Sequence, residues 1–170
     1  EAVENAIKIA RYYTKRPALI TFTNGYHGRS YMGMALSARM IPFKQGFGPF
    51  PSDIYRLPFP DDFHGISLED TKRAFDTLFR SDCPPDQIAA IFFEPVQGEG
   101  GYNIATPEFV EYLRDLCDAH GIVLVADEIQ SGMGRTGKMF AMEHFGIHPD
   151  LSCVGKSIGG GLPISGVVGR

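Results

Sequence analysis

Apolar positions along the chain recur with two different periods. In the opening stretch, EAVENAIKIARYYTKR, Val3, Ala6, Ile7, Ala10 and Tyr13 share one face at helical spacing, with no capping residue before them. ALITFT (18–23), AAIFFEP (89–95), IVLVAD (122–127) and LSCVG (151–155) are instead short, continuous apolar runs. That is the pattern of strands covered on both faces. Helical patterns lie between them. RSYMGMALSA (29–38) reads as one helix. A second is capped by Ser67, with Asp70 at the third helical position, and runs through Arg80. A third opens at Thr106-Pro107, carries Phe109, Val110, Leu113, Leu116 and Cys117 on one side, and stops at Gly121. KMFAMEHF (138–145) predicts a short helix, and the closing ISGVVGR a strand. Strands alternating with helices predict an α/β fold with a mostly parallel sheet flanked by helices. Residues 40–64 fit neither period. They hold Pro42, Pro49, Pro51, Pro58 and Pro60, but also Phe43, Phe47, Phe50, Tyr55 and Phe59, and so many aromatics argue for a packed segment rather than a disordered one.

Composition narrows the classes. The 170 residues suit one domain, and a net charge of −4 gives no attraction to nucleic acid or acidic lipid. No run reaches the roughly 18–20 apolar residues of a membrane span, and no apolar signal-peptide core opens the chain. Cys83, Cys117 and Cys153 form no CxxC pair, which fits reduced thiols and a cytoplasmic location. The chain lacks an initiator Met, opens inside a helix and stops in a strand, so the expectation is a piece of a longer protein.

Candidate chemistry concentrates in IVLVADEIQSGMGRTGK (122–138). Asp127-Glu128 closes a strand as a metal-holding acid does in an ATPase. Gly132 to Lys138 reads as both GxGxxG and GxxxxGK. Neither nucleotide signature is complete. Met139 stands where a P-loop has Ser or Thr, and Asp127 is too near Gly132 for the acid to sit on a separate strand. The dinucleotide fingerprint needs glycine directly after the strand and an acid at the end of the next, yet Asp150 precedes that strand. His144 and His148 have a zinc-like i, i+4 spacing, but Gly146 and Pro149 spoil the helix it needs. No metal site is expected.

Asp127 and Lys156 both fall at the carboxyl ends of predicted buried strands, the edge where open α/β sheets bind ligands. An apolar strand before Lys156 and glycines after it would desolvate its amine and favour the neutral, Schiff-base-forming state. A buried Asp127 needs a cationic partner, and the ring nitrogen of pyridoxal phosphate is one. On spacing alone the plainer reading stands equally well: Asp127 caps a turn and Lys156 is solvated.

Five segments decide between them: EAVENAIKIAR, NGYHGRSYMGMALS, FFEPVQGEGGY, LVADEIQSGMGRTGKMFAMEHFGIHPD and CVGKSIGGGLPISGVVGR. In these the chain resembles the class III, pyridoxal-phosphate-dependent aminotransferases of fold type I, nearly end to end. EPVQGEGGY and YHGRS are most similar to members acting on 4-aminobutyrate. The resemblance implies that residues 1–170 are part of the large, cofactor-binding domain, with an amino-terminal segment and a carboxy-terminal small domain lying outside. It implies that Lys156 carries pyridoxal 5'-phosphate and Asp127 pairs with its ring nitrogen. Gln130 lies near the phenolic oxygen, Ile129 against one ring face, and Tyr26 on the other with His27 beside it. Arg29 binds the substrate carboxylate, and Glu99 pairs with a second arginine outside this chain.

The implied activity moves an amino group from an ω-amino acid, 4-aminobutyrate first, to 2-oxoglutarate, in a homodimer or dimer of dimers. Other class III donors, namely ornithine, acetylornithine or a diamine, share a carboxylate-binding arginine and stay open. So does an inert truncated chain that only dimerises. Within the family the glycine-rich GMGRTGK segment is expected to be a structural turn.

Overall fold

The computed structural model describes residues 1–169. Its elements, in chain order, are α1 (Ala2–Thr14), β1 (Ala18–Phe22), α2 (Tyr31–Leu36), β2 (Ile54–Leu57), α3 (Leu68–Ser81), β3 (Ile88–Phe93), β4 (Val96–Gln97), α4 (Gly98–Gly101), β5 (Asn103–Ile104), α5 (Pro107–His120), β6 (Val123–Asp127), β7 (Leu151–Val154) and β8 (Gly166–Gly169). Six strands form one sheet in the order β2-β1-β3-β6-β7-β8. Every pairing in it is parallel except β7 with β8. The small β4–β5 pair is antiparallel and stands apart.

Each buried strand sends alternate residues to two cores, as the pleat dictates. On one face Ile20 and Phe22, Ile91 and Phe93, and Leu124 and Ala126 pack with Phe75 and Leu78 of α3 and Phe109, Val110 and Leu113 of α5. On the other, Leu19, Phe92, Val123 and Val125 pack with Val3, Ala6, Ile7 and Ala10 of α1 and Leu36 of α2. The result is a three-layer α/β/α arrangement, in line with the continuous apolar runs.

The capping signals perform as their chemistry requires. Ser67 Oγ accepts from Asp70 N while Asp70 Oδ2 accepts from Ser67 N, a complete capping box on α3. Thr106 Oγ1 accepts from Phe109 N at the start of α5, and Gly121 ends that helix at φ 63°.

Two sequence expectations are corrected, and two elements lie outside them. Tyr13 is exposed, because the apolar face of α1 ends at Ala10. Residues 138–145 hold only a 3-10 turn over Ala141–His144. The 40–64 segment contains an edge strand, β2, paired in parallel with β1 from Leu19↔Ile54 to Phe22↔Leu57. The β4–α4–β5 hairpin was not expected at all.

Phe109 is the aromatic hub of the α5 side, at 5.2, 5.1 and 6.4 Å between ring centroids from Phe22, Phe59 and Phe93, all edge-on. Phe109→Ala is therefore expected to cost about 3–5 kcal/mol in chemical denaturation. Phe63→Ala, at a ring 91 % exposed, should cost under about 0.5 kcal/mol. Equal effects would place the core elsewhere.

Candidate active site

Four neighbouring strands deliver their carboxyl ends to one edge of the sheet. Tyr26 and His27 follow β1, Glu94 directly follows β3, Asp127 closes β6, and Lys156 lies just beyond β7. Because these strands run parallel, all four ends open the same way. Tyr26, His27, Gly28, Glu94, Asp127, Ile129, Gln130 and Lys156 line one cleft of about 50 Å³.

Asp127 is only 4 % exposed. His27 Nδ1 donates to its Oδ2 at 2.8 Å, and Ile129 N donates to its Oδ1 at 3.1 Å. His27 is equally enclosed. Its Nε2 lies 3.1 Å from Thr21 Oγ1, and its backbone N–H donates to Ser37 Oγ at 2.9 Å. Burial by itself pulls the His27 imidazole toward its neutral form. The hydrogen bond to Asp127, the charge of Asp127 and that of Glu94 outweigh burial and raise its pKa. In either protonation state Nδ1 carries the hydrogen given to Asp127, while Nε2 donates to or accepts from the Thr21 hydroxyl accordingly.

Glu94 was overlooked in the sequence, although it shows the same signal as Asp127: an acid closing a fully apolar run. It is 5 % exposed, and its Oε2 accepts from Tyr26 N at 2.9 Å. Burial, aided by the charge of Asp127, raises it to about 7 against the pull of His27, the Tyr26 amide and Lys156. Thr21 and Ser37 were overlooked too. Their only signal is a small hydroxyl within an apolar surrounding.

Lys156 corrects an expectation. It is exposed, so the apolar strand before it does not desolvate its amine. It opens a short 3-10 turn, Lys156–Gly159, after the end of β7. Its backbone adopts φ 47°, a left-handed conformation that costs a non-glycine residue about 1 kcal/mol or more.

Arg29 and Glu99 flank the cleft without lining it. Arg29 is exposed; its Nε donates to Tyr26 Oη at 3.4 Å and its guanidinium lies 5.5 Å from the Phe43 ring centroid. Glu99 is exposed on α4. The hairpin around it is tied to the site by Gln97 Nε2, which donates to Thr23 O at 2.8 Å.

The glycine-rich loop is closed from within. Glu128, 1 % exposed, accepts from Ser131 Oγ, Ala141 N and Met142 N at 2.7–2.9 Å. Its carboxylate is thus committed to folding residues 131–142. His144 Nε2 pairs with Thr136 O in the same loop. Asp150 lies at the opposite end of the sheet, where it accepts from Leu124 N and Arg114 Nη1. Among the described residues no group of three or more His, Cys, Asp or Glu is placed to hold a metal ion.

The donor set fits the ring end of pyridoxal phosphate. A buried carboxylate, held by a hydrogen bond on each oxygen, suits a cationic ring nitrogen. The exposed amine of Lys156 opens on the same cleft, beside the amide of Gln130 and the side chains of Tyr26 and Ile129.

The raised Glu94 has a consequence for stability. Between about 4.5 and about 7 the folded chain holds a proton there that the unfolded chain has lost. Stability therefore falls as pH rises through that window. Glu94→Gln keeps an acceptor for Tyr26 N and removes the titration. Relative to the wild type, the variant should gain on the order of 1–3 kcal/mol between about pH 5 and about pH 8 in urea denaturation. A difference that stays flat with pH would contradict this.

The family model for class-III aminotransferases matches residues 1–170. The chain is 51 % identical over 170 residues to the 4-aminobutyrate aminotransferase GabT of Escherichia coli, and 51 % identical over 170 residues to the 5-aminovalerate aminotransferase DavT of Pseudomonas putida. All of this chain and 40 % of each relative are covered, so the chain spans about two fifths of their length. Among solved structures, it is similar to a taurine:2-oxoglutarate aminotransferase from Bifidobacterium kashiwanohense, in complex with PLP and glutamate. The TM-score is 0.90 at 30 % identity, over 99 % of this chain and 40 % of that one. Matched along its whole length by that one model, the chain belongs to the class-III aminotransferases.

Proposed function

We propose that this chain is part of the large, cofactor-binding domain of a pyridoxal-phosphate-dependent transaminase. We further propose that the enzyme moves an amino group from an ω-amino acid, 4-aminobutyrate first, to 2-oxoglutarate. The observation that carries this reading is the meeting of Asp127 and Lys156 in one cleft, on the ends of adjacent parallel strands, with Asp127 braced by His27. When bound, the cofactor supplies an electron sink for the pair left as the donor's C–H bond breaks.

The chain's own residues supply the rest. Asp127 keeps a proton on the ring nitrogen, and His27 behind it holds the carboxylate in place. Lys156 Nζ would anchor the cofactor covalently; displaced by the donor's amine, it would be the base that takes the proton from the donor's reacting carbon and the acid that returns it to the cofactor's C4′. Gln130 donates its amide to the phenolic oxygen, while Tyr26 and Ile129 give apolar surface to the ring. Arg29 offers a two-pronged fork to the donor carboxylate. Glu99 neutralises a second arginine from outside this chain while a one-carboxylate substrate is bound.

The unpaired cysteines support a cytoplasmic location, and among the described residues no helix is long and apolar enough to cross a membrane. A homodimer or dimer of dimers is part of the same reading and rests on the resemblance.

A relative at the same 51 % identity supports a second donor: 5-aminovalerate, one methylene longer. One methylene is worth about 1–3 kcal/mol in an apolar pocket, enough to rank the two. The test is a donor panel on the full-length protein. Four- and five-carbon ω-amino acids should exceed ornithine, acetylornithine and diamines in kcat/KM. Arg29→Ala should raise KM for 4-aminobutyrate at least about tenfold while hardly changing a simple alkyl amine, because only the carboxylate meets Arg29. Preference for ornithine or a diamine would overturn the donor assignment. An absence of turnover with every donor in the full-length protein would overturn the transaminase reading itself.

A further inference from the structure

Gly98 opens α4, and its backbone is not in the left-handed region that would call for glycine. The requirement comes from across the cleft. A Cβ added at Gly98 would lie 1.4 Å from Gln130 Oε1, 2.5 Å from its Cδ and 3.1 Å from its Nε2. The Gln130 amide therefore fills the space that any side chain at position 98 would take.

The two partners differ in freedom to yield. The hairpin carrying Gly98 is tied to the chain after β1 and closed on itself. Gln97 Nε2 donates to Thr23 O at 2.8 Å, and Tyr102 N donates to Gln97 O at 2.8 Å. At Gly100 the backbone runs so close to Asn24 that a Cβ there would meet Asn24 O at 2.8 Å. Gln130 is half-buried, and its amide is the far end of a flexible side chain with three rotatable bonds. A clash at position 98 is thus relieved by rotating the Gln130 amide away.

We infer that Gly98 is a positioning residue for the proposed reaction: its missing side chain seats the Gln130 amide on the cleft floor. What the seated amide does for the cofactor rests on the functional reading above. The seating itself does not.

The test compares full-length wild type, Gly98→Ala, Gln130→Ala and the double variant. The readouts are the dissociation constant for pyridoxal phosphate, the visible absorption maximum of the bound cofactor, and the crystal structure of Gly98→Ala. Gly98→Ala is expected to weaken cofactor binding and shift the band as Gln130→Ala does, within about twofold in affinity, and to add nothing in the Gln130→Ala background. Its crystal structure should show the Gln130 amide turned out of the cleft. Should Gly98→Ala alone fail to fold while the double variant folds, the clash lies with Gln130 and the inference stands. Failure of both overturns it. A full additive effect in the Gln130→Ala background, or a crystal structure with the amide in place and the hairpin displaced, also overturns it. Wild-type cofactor behaviour in Gln130→Ala would instead remove Gln130 from the cofactor. The crystal structure of Gly98→Ala then decides the seating alone.

Discussion

A carboxylate buried at the end of a β-strand is the constraint on which the site depends. Asp127 is almost withdrawn from water, and an unpaired charge there would cost several kcal/mol. His27 and the Ile129 amide meet that cost, and placing His27 enlists much of the fold. The chain leaving β1 turns at Asn24, φ 63°, and brings His27 N to Ser37 Oγ at the end of α2. The carbonyls of that helix end are in turn bound by Arg56 Nη2 of β2, which takes those of Ala35, Leu36 and Ser37, and by Lys44 Nζ, which takes those of Ala35 and Ser37. The edge strand thus reaches the ligand-binding edge through one helix end and one imidazole.

The same arrangement sets the electrostatics of the cleft. Along the sheet edge come an imidazole, a carboxyl, a carboxylate and an amine, from β1, β3, β6 and β7 in turn. The two acids stand in different conditions. Asp127 has a hydrogen bond on each oxygen, whereas Glu94 accepts the Tyr26 amide on Oε2 and is pushed by burial to about 7. Burial and the neighbouring charge of Asp127 favour the protonated form of Glu94, which accepts the Tyr26 amide.

Much of this was legible in the sequence. Continuous apolar runs located β1, β3, β6 and β7, because strands buried on both faces need no alternation. Ser67, Thr106 and Gly121 marked helix ends through chemistry local to a few residues. Asp127 and Lys156 stood out because they end or follow such runs, but spacing alone left a capped turn and a solvated lysine equally open, and only the resemblance gave them roles. What stayed hidden depends on contacts distant in sequence. The bond from His27 to Asp127 spans 100 positions. β2 is short, half-exposed and flanked by prolines, so only pairing with β1 makes it a strand. The β4–β5 hairpin has two residues a side. The exposure of Lys156, at the start of a 3-10 turn after β7, is not marked by any local pattern. The role of Gly98 is a steric relation to a residue from another loop.

The proposed transamination depends above all on the charge of the Asp127 carboxylate. The most direct measurement is single-turnover kinetics of Asp127→Asn in the full-length protein, alongside its unfolding curve. An amide of the same shape retains an acceptor for His27 but cannot keep a ring nitrogen protonated. The expected result is a cooperative fold close to wild type with turnover reduced about a thousandfold or more, a barrier higher by roughly 4 kcal/mol. Near-normal turnover in a folded Asp127→Asn protein would contradict the account.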